Sequence, residues 1–197
     1  MYEKSHTTIA QILDATQKAF VANSYDDVTV AAIAQEANIT KGAIYHHFKN
    51  KQDLFLQMMV RYLNGLHLLL RQAVEASGSA QERLTQLTDL YLEQPREQQY
   101  VIQLVRRDAN RFTDKTREQL VTAYQDALPS QIEAIILDGI ETDEIIPGNA
   151  RLLAWQFVAI VEVHLNDYAR QQFKTPKEMA VHVTSLFFNG VGSQAVS

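Results

Sequence analysis

Apolar side chains recur along this chain at intervals of three and four residues and almost nowhere at intervals of two, a periodicity that predicts helices and no sheet. Ile9, Ile12, Leu13, Thr16 and Phe20 make the first stripe. After a break over 23–27, Thr29 is placed to cap a second helix that turns Val30, Ile33, Ala34 and Ala37 inward. Thr40 caps a third, brief helix ending near Phe48. Asn50, with Asp53 three residues on, opens a long helix whose stripe runs through Leu54, Phe55, Met58, Tyr62, Leu66, Leu69, Leu70 and Val74. Ending near Ala76, it would be roughly 40 Å long at 1.5 Å per residue. Ser77, Gly78 and Ser79 read as a linker. Helical patterns then cover about 80–93, 96–110 and 114–138, the last with Pro129 expected to kink it. Another long helix is expected from Asn149 to about Phe173. Thr175, Pro176 and Glu178 mark the start of a closing one with cap, first-turn proline and third-position acid. The expected fold is all-α, with about nine helices.

Residues 29–48, TVAAIAQEANITKGAIYHHF, have the layout of a helix-turn-helix, two short helices joined by a tight turn. Asn38 stands where the turn needs a left-handed residue, a conformation asparagine tolerates. At 100° per residue, Ile44 and Phe48 point to one side of the second helix and toward a core. Gly42 and His46 fall on the opposite side, flanked by Ala43 and Tyr45. A glycine at 42 lets backbone approach phosphate or base edges, and Ala43 can meet a thymine methyl. Tyr45 and His46 offer polar groups, while Thr40 and Lys41 sit where free helix N–H groups favour phosphate. Lys51, at the start of the long helix, is placed to reach another phosphate.

The overall charge of −5 argues against nucleic acid until the chain is divided. The first 62 residues carry six basic and six acidic side chains, so the whole excess of acid lies beyond them. The absence of cysteine removes disulfides, thiolate nucleophiles and cysteine-held zinc, and fits a cytoplasmic protein. Met1 to His6 lacks the apolar run of a leader peptide. The most apolar later stretch, Leu152 to Leu165, is interrupted by Gln156, Glu162 and His164, so no membrane span is expected. There is no phosphate-binding glycine loop and no H-E-x-x-H, and nothing pairs a nucleophile with a base. No enzyme, cofactor or metal site is expected. His67, His164 and His182 show no metal-ligand spacing, and Glu178 with His182 reads as a solvated helix pair.

From Ile9 to about Leu56 the residues resemble the DNA-binding domain of tetracycline-repressor (TetR) type regulators. Thr29, Ile33, Ala34, Ala37, Ile39, Thr40, Lys41, Gly42, Ile44, Tyr45, His47, Phe48, Lys51 and Leu54 stand in register with that family's pattern. Asn38 departs from it, replacing the usual turn glycine, and so does Ser24, where glycine commonly ends the first helix. The resemblance implies phosphate contacts from Thr29, Thr40, Tyr45, His47 and Lys51. It implies base-edge contacts from Lys41, Gly42, Ala43 and His46. The helical wheel puts His47 nearer the rim.

The expected organisation is a helix-turn-helix DNA-binding domain over 1–52 and a helical effector-binding and dimerisation domain over 53–197. The expected function is a homodimeric repressor released from an inverted-repeat operator by a small hydrophobic or aromatic effector. An effector-dependent activator, or a helical ligand-binding protein without DNA binding, stands as the alternative. Leu153, Phe157, Ile160, Val161 and Leu165, with Val183, Leu186 and Phe187 on the closing helix, exceed what one face can bury and predict a four-helix interface between two chains. Tyr91, Tyr100, Tyr124 and Trp155 are candidate effector contacts, though such aromatics more often serve a core. Arg106 and Arg107 could face an acidic group on the effector. The basic run from Arg106 to Arg117 alternates with Asp108, Asp114 and Glu118, which also suits a solvated face of ion pairs.

Overall fold

The computed structural model describes the backbone of residues 2–191 and the side chains of 7–190, so the leader-free start read from Met1 to His6 lies outside the described side chains. Among the described residues there are eleven α-helices and no strand. They are α1 (Tyr2–Ala22), α2 (Val30–Glu36), α3 (Lys41–His47), α4 (Lys51–Val74), α5 (Ala80–Leu92) and α6 (Arg96–Asp108), then a 3-10 turn at Ala109–Arg111. After it come α7 (Lys115–Ala127), α8 (Pro129–Glu141), α9 (Ala150–Val163), α10 (Asp167–Arg170) and α11 (Pro176–Val191). No described helix is long and apolar enough to cross a membrane.

Two expected helices are each divided, for local reasons. Pro129 has no N–H to continue a helix and instead takes the first position of α8, so the expected kink is a break after Ala127. The helix expected to reach Phe173 stops at Val163, because the Asn166 side chain accepts from the Ala169 N–H and caps the separate α10. Ser79, read as the end of a linker, instead closes with Glu82 a reciprocal capping box that starts α5. Elsewhere caps lie where the sequence puts them. The Thr175 hydroxyl accepts from the Glu178 N–H at the start of α11.

The helices gather into two compact units. The first comprises residues 1–64 and 96–124, and the second 65–95 and 125–197. α6 and most of α7 fall in the first unit with α1, α2, α3 and the first part of α4. The first unit buries Ile12, Phe20, Ile33, Ile44, Phe48, Leu54 and Phe55 almost completely. Phe20, Tyr25, Phe55 and Phe112 form an aromatic cluster with ring centres 4.9–5.7 Å apart, joining α1, the turn after it, α4 and the segment after α6.

In the second unit, the densest packing is α5 against α11 and α8 against α9. Gly139 lets α8 approach α5: a Cβ there would stand 2.7 Å from that of Ala80. The Arg83 guanidinium lies almost buried, where it donates to Asp138 and to the Ala73 and Val74 carbonyls at the end of α4. It serves as a cap supplied from another helix.

Candidate nucleic-acid interface

The site is built on α2 and α3, and each helix starts on a threonine. The Thr29 hydroxyl accepts from the Ala32 N–H, and the Thr40 hydroxyl accepts from the Ala43 N–H, both at 3.1 Å. A hydroxyl used this way as acceptor keeps its own O–H to donate outward. Between the helices Asn38 adopts φ 51°, the left-handed turn the sequence anticipated. Ile33, Ala34 and Ala37 anchor α2 inward, while Ile44 and Phe48, each 1% exposed, anchor α3.

That anchoring fixes what α3 shows to solvent. Lys41, Gly42, Tyr45 and His46 are exposed, and Ala43 and His47 are half-covered. The Lys41 ammonium lies 5.7 Å from the centre of the Tyr45 ring, and His46 meets His47 edge to face at 4.9 Å. A Cβ on Gly42 would meet only the Thr40 hydroxyl oxygen, at 3.8 Å, so nothing within the chain requires glycine there. The structure thus places eight of the nine residues anticipated for DNA on the surface of one motif.

Lys51 differs. Its ammonium donates to the Tyr25 and Val28 carbonyls at 2.8 and 2.9 Å and sits 4.5 Å from the Tyr25 ring centre. It ties the turn between α1 and α2 to the start of α4, an internal role in place of the phosphate contact expected from sequence. Lys51→Ala is expected to cost about 1–3 kcal/mol of stability in the absence of DNA, because two carbonyls lose a charged donor. A denaturant midpoint unchanged from wild type would return Lys51 to the phosphate role.

The segment from α6 to α7 braces this unit. Arg107 donates to the carbonyls of Phe20 and Asn23, which close α1, and to the Asp108 carboxylate. Arg111 joins Asp108 to Asp26 in the turn before α2. Asp108, fully buried, is thus held between two guanidinium groups. Gln52 on α4 donates to Asp114 and Thr116. Hydrogen bonds from Thr116 and Gln52 hold the Asp114 carboxyl below its ordinary value. The tie is therefore present above that ordinary value and lost as pH falls through the lowered one.

The residues anticipated for an effector are divided between the two units. Tyr100, Arg106, Arg107 and Tyr124 belong to the first unit, Tyr91 and Trp155 to the second. Arg107 donates within the brace, and its partner Asp108, expected on a solvated face of ion pairs, is fully buried. Tyr91 and Tyr124 are buried, Trp155 is half-buried, and Tyr100 and Arg106 are exposed. Burial pushes the Tyr124 hydroxyl up, and the charge of Arg106 opposes it in part. Sequence reasoning took Tyr62 for a core residue of α4. Its hydroxyl oxygen is buried with no hydrogen-bond partner among the described residues, and desolvation pushes it strongly up. Only the fold could show that the polar end of this side chain lies inside.

A two-helix reading motif with an outward polar face has the geometry of a helix-turn-helix DNA-binding element. Residues 12–58 match the family model of bacterial regulatory proteins, tetR family. The match spans the helix-turn-helix and the start of α4. The chain is 27% identical over 176 residues to the HTH-type transcriptional regulator YhgD of Bacillus subtilis, covering 89% of this chain and 92% of the relative. It is 25% identical over 151 residues to the fatty acid metabolism regulator protein of the same organism, covering 75% and 76%. Among solved structures, FadR from Bacillus subtilis in complex with stearoyl-CoA superposes with a TM-score of 0.77 at 18% identity, covering 92% of this chain and 98% of that one. At that identity the likeness is one of fold.

Proposed function

We propose that this regulator is a homodimeric repressor, each protomer setting α3 in the major groove of one half of an inverted repeat, and that a small acylated effector releases it. The two-sidedness of α3 carries the reading: Ile44 and Phe48 are locked inside, so Lys41, Gly42, Tyr45 and His46 have no internal duty. In this reading Lys41, Gly42, Ala43 and His46 meet base edges. Thr29, Thr40, Tyr45 and His47 hold phosphates, which positions the helix without reading sequence. Two such helices related by a two-fold axis fit half-sites about 34–36 Å apart, or a multiple of that spacing. Selection from random DNA should return a palindromic motif, and a pool without enrichment at low salt would overturn the repressor reading.

Dimerisation is proposed through α9 and α11, with Leu186 in the interface and without the expected residues that fill the chain's own core. Phe157, Val161, Leu165, Val183 and Phe187 are buried inside their own chain. The faces left open carry Leu152, Ala159 and Val163 on α9 and Val181 and Leu186 on α11, with Leu152 and Leu186 at least half exposed. Leu186→Glu should leave the protomer folded, since the side chain already meets solvent, yet dissociate the dimer, because an isologous interface receives the charge twice. Sedimentation at micromolar concentration checks this; a variant that stays dimeric places the interface elsewhere.

The acyl character of the effector is supported by the relative named for fatty acid metabolism and by the similar fold solved with stearoyl-CoA. On the protein side, Arg106 and Tyr124 lie within electrostatic reach of each other, and the unpaired Tyr62 hydroxyl is a polar group for a ligand to complete. Operator release should follow acyl-chain length in a series of acyl-CoA thioesters. Tyr62→Phe should blunt that response without loss of stability. An acyl-CoA that stabilises the protein yet leaves operator affinity unchanged would sink this effector class, since equal affinity for both states shifts nothing.

A further inference from the structure

Two histidines that the sequence separates by 18 positions meet in the second unit. His164 ends α9 and His182 lies on α11, and their ring centres are 5.4 Å apart. The His164 Nδ1 stands 2.7 Å from the Ile160 carbonyl oxygen. A carbonyl can only accept, so Nδ1 carries the proton, and in the neutral ring the lone pair is left on Nε2. A backbone carbonyl that fixes the tautomer and orientation of an imidazole is the usual outer partner of a metal-bound histidine. His182 is exposed, and Phe173 walls the pair, 6.1 Å from His164 and 5.1 Å from His182.

We propose that His164 and His182 form a two-ligand site for a divalent first-row transition-metal ion. The spacing supports it. With metal–nitrogen bonds of about 2.1 Å and ring centres about 1.1 Å beyond each nitrogen, two imidazoles on one tetrahedral ion hold their centres roughly 5.2 Å apart. The observed 5.4 Å matches that separation of ring centres. Among the described residues no cluster of three or more such ligands exists, so water completes the shell. Imidazole selects Ni(II), Zn(II) and Cu(II) over Mg(II) and Ca(II), which take oxygen ligands. A bound ion ties the end of α9 to α11, beside the face proposed for the second protomer.

The test is calorimetric titration of the full chain, freed of any histidine tag, with Ni(II), Co(II), Zn(II) and Mg(II). One Ni(II) or Zn(II) should bind per chain, Co(II) more weakly than Ni(II), and Mg(II) not at all. Binding should weaken as pH falls, because protons compete for the ring nitrogens. His182→Gln changes an exposed side chain and should weaken Ni(II) binding more than about tenfold, as one imidazole remains. His164→Gln should do the same. Ni(II) should raise the melting temperature of wild type and not of H182Q. The adjacent pair on α3 is the internal control: H46Q/H47Q should retain the site. Absence of saturable Ni(II) binding, retention of it in H182Q, or its loss in H46Q/H47Q would each overturn the proposal.

Discussion

Arg107→Ala is expected to lower stability by about 2–4 kcal/mol and operator affinity with it, although Arg107 lies on α6 and touches no DNA in the proposed complex. The substitution removes donors from the Phe20 and Asn23 carbonyls and leaves the buried Asp108 with Arg111 as its single named cationic partner. A buried carboxylate deprived of half its compensation costs more than a surface pair of the same length, because no water replaces the lost donors. For a chain of this size the melting temperature should fall by roughly 5–12 °C. Arg107→Lys keeps the charge but loses the planar fork that serves a carboxylate and two carbonyls together, so it should recover only part of the loss. The affinity loss should track loosening at the end of α1, read by faster amide exchange there. A melting point within experimental error of wild type would show that the brace is not energetically coupled to the reading motif.

On the recognition helix, the expected effects separate by chemistry. Lys41→Ala should relax base preference at one position of each half-site and cost about 1–3 kcal/mol of binding per protomer, with the fold intact. Tyr45→Phe, removing a proposed phosphate donor, should weaken all sequences alike. Gly42→Ala is the sharper probe. Alanine favours a helix by about 1 kcal/mol over glycine, and the added methyl meets nothing closer than 3.8 Å within the chain. The variant should therefore be as stable as wild type or more so, and yet bind the operator at least tenfold more weakly, because the methyl occupies space the DNA needs. Competition binding at fixed salt reads all three. Unchanged operator affinity in G42A would mean that this face of α3 does not lie in the groove.

Much of the fold was legible because it is written in contacts a few residues long. Thr29, Thr40 and Thr175 cap the helices that follow them, and each cap joins residues three apart. Asn38 has its positive φ because only four residues, 37–40, separate α2 from α3. The inward faces of α2 and α3 follow from helical period alone. At two positions local signals compete: Pro129 can kink or start a helix, and Asn166 can ride within a helix or cap the next.

What the sequence determined by itself was the class of element, the reading motif and the outward face of α3, since caps, turn and periodicity act within one or two turns. The tertiary structure decided which polar groups those elements consume. Lys51 reaches back 23 and 26 residues to two carbonyls, Arg107 reaches back 84 and 87, and His164 finds His182 across α10 and a loop. It also decided which apolar side chains of α9 and α11 fill their own core and which stay open. A side chain's period says that it has a buried face available. Only the packing of distant helices says whether its own chain fills that face.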